Sequence, residues 1–353
     1  MKILLIKMRY IGDVLLATPI IRNLARAYPG ADIDIAVISG TQDLVTQNPN
    51  IRKVLIYEGK KHKKKSIFRR FWTEFKFFCE IKREKYDLAI QLTGSEHGVL
   101  LAKYAGIPKI VAFDNIKRPK FNKHATNVVW QFDGDKHAID RNLDALRWLK
   151  IPIKSKRVEI YFDPMNLSEF PIPARFVHFH ATSRFSYKSV NAQFMASLID
   201  FCELELRVKA VLTAADSFDE KKRIDEILSL CTSKPLNLAG KLTLKQVANL
   251  AFRAEIYVGV DTGISHIAAA VNTPVIALFG LSNPNEWGPW DNSLTKNGYE
   301  KPQICQRMGQ NCAFKFDARR IEECEDLRNY EVLKDFTPEQ LEAVKSEIKA
   351  KLG

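Results

Sequence analysis

The sequence predicts an α/β protein made of two doubly wound domains, each with a parallel β-sheet covered by helices. Short apolar runs rich in β-branched residues alternate with segments of helical spacing, which is typical of such sheets. The alternation stops at a proline-rich stretch, residues 163–173, and then starts again. The chain of 353 residues is long enough for two domains of ordinary size.

The first half of the chain predicts a domain over residues 1–165. Its strands are the β-branched runs at 3–6, 33–38, 54–57, 88–91 and 110–113. Apolar residues recur every three or four positions at 14–28 and 71–81, which predicts helices there. Pro29-Gly30 and the Gly-x-Pro at 106–108 supply turns between elements.

The second half repeats the pattern and predicts a domain over residues 166–335. Predicted strands lie at 176–179, 209–213, 256–260 and 275–279, and predicted helices at 193–201, 219–230, 244–252 and 265–271. A charged amphipathic helix at 338–352 follows, with Thr337 as its cap and Glu339 and Gln340 in its first turn.

Composition favours a globular protein of the cytoplasm. Hydrophobic residues make up 46% and charged residues 27%, and no stretch approaches the ~18 consecutive apolar residues of a spanning helix. The first seven residues lack the apolar core and cleavage site of a signal peptide, so we expect an opening strand.

In a cytoplasmic chain of this size, the six cysteines should be reduced. Cys305, Cys312 and Cys324 lack the close pairs of a zinc site, which favours packing in a loop.

The net charge of +13 is concentrated in one basic segment interleaved with aromatic residues. Its candidate binding residues for an acceptor or a membrane are Lys61, Lys63, Lys64, Lys65, Arg69 and Arg70. Docking on anionic lipid is the favoured interpretation, and an amphipathic helix whose aromatics pack inward is the alternative. Nucleic acid is the least favoured partner, because no RNA- or DNA-binding motif accompanies the charge.

Gly12-Asp13 directly follows the opening strand and is the first candidate motif. In a doubly wound domain, ligands meet the carboxyl ends of the strands. Gly12 permits a tight turn, and Asp13 at the head of a helix is a candidate general base. An ordinary helix cap is the alternative for Asp13.

The second motif follows the first strand of the second domain. It contains two hydroxyls, a guanidinium and an ammonium, namely Thr182, Ser183, Arg184 and Lys188. An arginine can bind two oxygens at once while a lysine supplies a point charge, so the set suits a diphosphate. A polar surface loop is the alternative.

The third motif is Asp261-Thr262-Gly263, at the end of a predicted buried strand and the start of a small-residue helix. The free backbone N–H groups at such a helix start form an anion site. An aspartic protease is excluded, because that class requires an all-β setting and a second carboxylate. His266 in the first turn is a candidate for contacting phosphate or sugar, with capping and packing as its alternative role.

Together these segments resemble the glycosyltransferase family of the ADP-heptose:lipopolysaccharide heptosyltransferases, most of all the heptosyltransferase III type. The resemblance runs over nearly the whole chain. It is carried by ILLIKMRYIGDVLLATPIIRNLARAYPGADIDIAV, HATSR, DTGISHIAAA and NPNEWGPW.

The resemblance implies a GT-B fold, in which two Rossmann-like domains face each other across a cleft and segment 336–353 packs back on the first domain. It implies inverting, metal-independent transfer of heptose from ADP-heptose, without a cofactor, to a heptose of the lipopolysaccharide inner core (lipid A-core). The enzyme would work at the cytoplasmic face of the inner membrane, without nucleic acid. Asp13 takes the position of the family's general base. The positions at which the family binds its donor are occupied here by Thr182, Ser183, Arg184, Lys188, Asp261, Thr262, Gly263 and His266. Glu220, Gly240 and Lys241 are expected near the nucleoside.

Two rival functions stay open at this level. The same scaffold can use another nucleotide sugar, such as a UDP-hexose, because fold does not fix the substrate. A non-catalytic protein that binds an anionic membrane or polymer is the rival from another class.

Overall fold

The computed structural model describes residues 1–59, 67–114, 128–131, 136–292, 305–308, 310–317 and 331–353. They form two compact units, Met1–Tyr161 and Phe162–Gly353. The boundary lies a few residues before the predicted one, just ahead of the proline-rich stretch.

The first unit contains a parallel six-stranded sheet in the order β3-β2-β1-β4-β5-β6. Its strands are β1 (Lys2–Ile6), β2 (Asp32–Ile38), β3 (Lys53–Tyr57), β4 (Leu88–Gln91), β5 (Lys109–Asp114) and β6 (Val128–Gln131). The chain moves outward from β1 to β3 and then returns to the other side of β1. The strand order therefore reverses between β1 and β4, where doubly wound sheets bind their ligands.

The first unit has five described α-helices, and the first two of them replace the single helix that the sequence predicts at 14–28. They are α1 (Ile11–Leu15), α2 (Thr18–Ala27), α3 (Ile67–Glu84), α4 (Glu96–Tyr104) and α5 (Ala138–Trp148). The predicted helix at 14–28 is interrupted because Pro19 has no N–H to donate to the carbonyl of Leu15. The hydroxyl of Thr18 donates to that carbonyl instead, at 2.8 Å, and α2 begins there.

The second unit contains a seven-stranded sheet in the order β12-β13-β11-β10-β7-β8-β9. Its strands are β7 (Phe176–His180), β8 (Lys209–Leu212), β9 (Leu236–Asn237), β10 (Ile256–Val260), β11 (Val275–Phe279), β12 (Cys305–Met308) and β13 (Asn311–Lys315). All neighbours are parallel except β12 and β13. The order reverses between β7 and β10, so this unit is doubly wound as well. Two parallel sheets with helices confirm the predicted fold class.

The helices of the second unit lie close to their predicted positions. They are α6 (Ala192–Asp200), α7 (Phe218–Leu230), α8 (Leu244–Arg253), α9 (Gly263–Ala270), α10 (Pro284–Trp287) and α11 (Pro338–Leu352). Thr337 caps α11 through a reciprocal pair of bonds with Gln340, which confirms the predicted cap. Val344 and Ile348 of α11 are buried in the core of the second unit. Packing of this helix on the first domain stays a prediction.

The cysteines do not all match the expectation of reduced thiols. Cys79, Cys202 and Cys231 are free. Cys312, buried in β13, is disulfide-bonded, so the expectation is wrong at that position. Cys324 and the side chain of Cys305 lie outside the described residues.

Candidate active site

The predicted donor-binding residues gather at one edge of the second sheet. Strands β9, β8, β7 and β10 are neighbours, and each is followed at its carboxyl end by part of the predicted set. Gly240 and Lys241 follow β9, Glu220 follows β8, Thr182 to Lys188 follow β7, and Asp261 to His266 follow β10. The last two groups flank the point where the strand order reverses, which is the usual ligand position in such sheets.

Lys188 and Asp261 join the second motif to the third. Lys188 lies at the end of a short 3₁₀ turn, Ser186–Lys188, and its Nζ is 2.5 Å from Oδ2 of Asp261. The Asp261 carboxylate is 5% exposed and the Lys188 side chain 20%. A carboxylate that is so deeply buried requires a partner, and the partly exposed Lys188 provides it.

The start of α9 has the geometry of an anion site. Thr262 is the N-cap, and its hydroxyl accepts a hydrogen bond from Ile264 N at 3.3 Å. The hydroxyl of Ser265 donates to Thr262 O at 2.7 Å and fixes the turn. Gly263 begins the helix, whose first N–H groups carry the positive end of its dipole. Because Thr262 is the cap, the suggested capping role of His266 is wrong; His266 is buried in the helix.

Thr182 and Glu220 connect the loops after β7 and β8. The hydroxyl of Thr182 donates to Oε2 of Glu220 at 2.7 Å, and the backbone N–H of Ala215 donates to the same oxygen at 3.1 Å. Both side chains are buried. Thr182 therefore positions Glu220 here, whereas Ser183 and Arg184 are more accessible members of the motif.

Gly240 and Lys241 form a tight turn after β9. Gly240 has a φ of 72°, a left-handed backbone conformation that favours glycine. The exposed Lys241 donates from Nζ to the carbonyl of Asn237 at 3.0 Å. The turn thus places Lys241 in the loop that follows β9.

Asp13 lies at the carboxyl end of β1, in the first turn of α1. Tyr10 is the N-cap of that helix, so the alternative role of Asp13 as the cap is wrong. Its side chain is 18% exposed, and Oδ1 lies 3.7 Å from Nζ of Lys7. Part of the Asp13 side chain is therefore accessible at this end of the sheet, next to a cation.

Lys7 is a buried cation that the sequence interpretation missed. Its Nζ donates to the carbonyl of Leu92 at 3.0 Å and to Oδ1 of Asn142 at 3.1 Å. Asn142 in turn donates to Leu16 O at 3.0 Å, so the ammonium is held by the residue that follows β4 and by a fixed side chain of α5. Burial lowers the pKa of Lys7 to about 8, while the charge of Asp13 acts in the opposite direction. A lysine directly after a buried strand is the sequence signal that could have identified it.

Two buried histidines lie beneath the donor loops. Nε2 of His178 and Nδ1 of His180 are 2.7 and 3.0 Å from the hydroxyl oxygen of Thr213. Burial lowers the pKa of His178 to about 3 and that of His180 to about 4. Both imidazoles are consequently neutral at physiological pH, and both hydrogen-bond to Thr213, which directly follows β8.

The basic segment is described only in part. Lys61, Lys63, Lys64 and Lys65 lie outside the described residues, whereas Arg69 and Arg70 are exposed at the start of α3. The alternative in which the aromatics pack inward is correct for Phe77 but wrong for four others. The exposed rings belong to Phe68, Phe71, Trp72 and Phe75.

Comparison with known proteins assigns the chain to a family. Residues 74–315 match the model of glycosyltransferase family 9 (heptosyltransferase). Lipopolysaccharide heptosyltransferase 3 of Escherichia coli is 29% identical over 298 residues, covering 81% of this chain and 86% of the relative. The lipopolysaccharide heptosyltransferase 1 of Pseudomonas aeruginosa is 26% identical over 312 residues, covering 86% and 85%.

A solved family 9 glycosyltransferase from Veillonella parvula has the same fold. It superposes with a TM-score of 0.80 at 19% identity and covers 99% of this chain and 97% of its own. The chain belongs to glycosyltransferase family 9, the heptosyltransferase family. It is therefore a glycosyltransferase, and the resemblance found in the sequence is confirmed.

Proposed function

We propose that this enzyme transfers heptose from ADP-heptose to a heptose of the lipopolysaccharide core. The names of its relatives support the sugar and the acceptor class. The observation that carries the proposal is the convergence of Lys188, Asp261 and the start of α9 at one sheet edge. This arrangement presents an ammonium and a set of N–H groups to a single anion.

The donor residues stabilise the departing diphosphate. Lys188 and the N–H groups at Gly263 and Ile264 offset the negative charge that develops on the leaving oxygen. Asp261 keeps the Lys188 ammonium in place through their 2.5 Å contact. Ser183 and Arg184 add donors to the outer phosphate oxygens, and Glu220 with the Gly240–Lys241 turn faces the nucleoside.

Protein cations provide this stabilisation without a metal ion. Among the described residues, no group of three His, Cys, Asp or Glu side chains is arranged to hold a metal. The proposal assigns the stabilisation of the leaving-group charge to Lys188, Arg184 and the start of α9, and it is a proposal of transfer without a metal ion or a cofactor. His266 is buried in the first turn of α9, the helix whose start is the proposed phosphate site.

Asp13 is the proposed general base. In an inverting reaction, one displacement at the anomeric carbon forms the bond to the acceptor oxygen and breaks the bond to the diphosphate. The acceptor hydroxyl gives its proton to a carboxylate. Lys7 holds that carboxylate in position through the contact of 3.7 Å between its Nζ and Oδ1 of Asp13.

The proposed site of action is the cytoplasmic face of the inner membrane, where a lipid-linked core acceptor is accessible. None of the described helices is long and apolar enough to cross a bilayer. The association with the membrane that we propose is peripheral.

A donor panel tests the proposal. Calorimetric titration with ADP, UDP and GDP should give binding for ADP, which then justifies assays with ADP-heptose. Binding of UDP alone would be consistent with a glycosyltransferase but would contradict ADP-heptose as its donor. Failure of all three to bind, combined with salt-sensitive binding to an anionic polymer, would favour the non-catalytic alternative.

A further inference from the structure

Helix α3 has two apolar faces, and only one of them packs in the core. Phe77 and Ile81 are buried in the core of the first unit. A second apolar stripe follows the helical spacing i, i+3, i+4 and i+7. It consists of Phe68, Phe71, Trp72 and Phe75, which are 82%, 67%, 54% and 44% exposed. The second stripe, here called the aromatic face, therefore points to solvent.

Three of the four rings of the aromatic face, those of Phe71, Trp72 and Phe75, are in contact with one another through Phe75. The ring of Phe75 stacks with that of Phe71, with centroids 6.2 Å apart, and with that of Trp72 at 5.8 Å. Nζ of Lys76 lies 5.6 Å from the centre of the Trp72 ring. Clusters of large exposed rings are rare on soluble proteins and mark interaction surfaces.

The charges of α3 are divided between its two sides. All three of its carboxylates contact side chains on other parts of the first unit. Glu74 bonds to Tyr57 and His97, Glu80 to Lys53, and Glu84 to Arg52 and Lys53. The basic side chains of Arg69, Arg70 and Lys76 are instead exposed beside the rings. In sequence, five more lysines lie within residues 60–65, directly before the helix. The aromatic face is thus positively charged, because its acids are turned inward.

We propose that the aromatic face of α3 docks the protein on an anionic lipid bilayer. Its rings enter the interface between headgroups and acyl chains, while Arg69, Arg70 and Lys76 contact lipid phosphates. Helices that lie in the membrane plane combine these same two features. A nucleic acid partner is less suited, because sequence-independent binding of single strands uses a charged groove and a helix face is convex. The inference is independent of the proposed transfer reaction.

Vesicle flotation with the full chain tests this docking. The wild type should float with vesicles of phosphatidylcholine and phosphatidylglycerol and stay behind with phosphatidylcholine alone. Phe71→Ser/Trp72→Ser should weaken the partition by about tenfold or more, because apolar area is lost from the interface. Arg69→Gln/Arg70→Gln should weaken it by about fivefold for each charge removed, roughly thirtyfold together.

Exposed aromatics elsewhere provide the matched control. Trp148→Ser/Phe218→Ser removes two rings of similar exposure outside α3 and should leave flotation unchanged. Thermal unfolding and ADP binding of each variant show whether it is folded, independently of its flotation with vesicles. Wild-type flotation of the α3 ring variant would overturn the proposal. So would binding that depends only on Lys61, Lys63, Lys64 and Lys65, or a preference for RNA oligonucleotides over vesicles.

Discussion

Nζ of Lys7 lies 3.7 Å from Oδ1 of Asp13, at the point of the first sheet where the strand order reverses. Lys7 directly follows the buried strand β1, and Asp13 lies in the first turn of α1, the next helix along the chain. The ammonium donates to Leu92 O and to Oδ1 of Asn142, which fixes its position beside the carboxylate. The proposed base therefore has a buried cation, Lys7, beside it that fixes the position of its carboxylate.

Replacing Asp13 tests the base directly. Asp13→Ala and the closer mimic Asp13→Asn should both lower kcat by about 10²–10⁴, the usual contribution of a general base. ADP affinity should stay within a few-fold of wild type, because the donor loops lie in the second unit. Steady-state kinetics and calorimetry measure the two effects. More than a tenth of wild-type turnover in Asp13→Asn would remove Asp13 from this role.

The role of Lys7 predicts a pH dependence. Its pKa of about 8 in the folded protein means that the ammonium next to Asp13 is lost as the pH rises through 8. The kcat/KM of the wild type should therefore fall above pH 8. Lys7→Met, which keeps the side-chain length, should be slower at pH 7 and lack that alkaline limb. The exposed Lys2→Met is its matched control and should keep the wild-type profile.

The same shift predicts an effect on stability. The folded-state pKa of Lys7 is lowered from 10.5, so the unfolded chain binds more protons between pH 8 and 10.5. The contribution of Lys7 to the free energy of unfolding is then unfavourable below pH 8 and improves as the pH rises. In urea unfolding, the free energy of unfolding of the wild type should rise relative to that of Lys7→Met as the pH goes from 8 to 10.5. Parallel curves would contradict the burial of a charged Lys7.

Lys188 and Asp261 can be separated by a double replacement. Lys188→Ala should weaken ADP binding by about ten- to a hundredfold, the value of one charged hydrogen bond, and should also lower Tm because Asp261 loses its partner. Adding Asp261→Asn should restore Tm but leave ADP binding weak. Calorimetry and thermal unfolding give the two readouts. Unchanged ADP affinity in Lys188→Ala would place Lys188 outside the diphosphate site.

The buried histidines predict acid sensitivity. The pKa values of His178 and His180 are lowered from 6.5 to about 3 and about 4, so only the unfolded chain takes up their protons as the pH falls below 6.5. The free energy of unfolding should drop by about 1.4 kcal/mol per pH unit for each histidine, down to about pH 4. His178→Gln/His180→Gln should flatten this slope, whereas His97→Gln, on the surface of α4, should not. Equal slopes in all three proteins would contradict the burial effect.

Much of the fold was predictable because the central strands are short runs of buried, largely apolar residues. Strands such as Ile256–Val260 and Val275–Phe279 match their predictions, since parallel strands covered on both faces must be apolar throughout. The edge strand β9 has only two residues and carries no periodic signal. The break between α1 and α2 depended on one missing N–H at Pro19, which helical periodicity does not register.

The candidate site was predictable where a motif follows a strand, as for Asp13, Lys188 and Asp261. Their pairing partners were not predictable, because the Lys188–Asp261 contact joins positions 73 residues apart and depends on β7 lying beside β10. Lys7 was missed because its neighbours Leu92 and Asn142 come from distant parts of the chain. The exposure of the aromatic face likewise depends on which side of α3 packs against the sheet.

Mass spectrometry of a lipid A-core acceptor after incubation with ADP-heptose tests the central claim most directly. The wild type should add the mass of one heptose and release one ADP, and Asp13→Asn should do so far more slowly. Transfer from a UDP-hexose but not from ADP-heptose would contradict the proposed donor. An unmodified acceptor with every nucleotide sugar, from protein that binds ADP, would contradict the proposed acceptor.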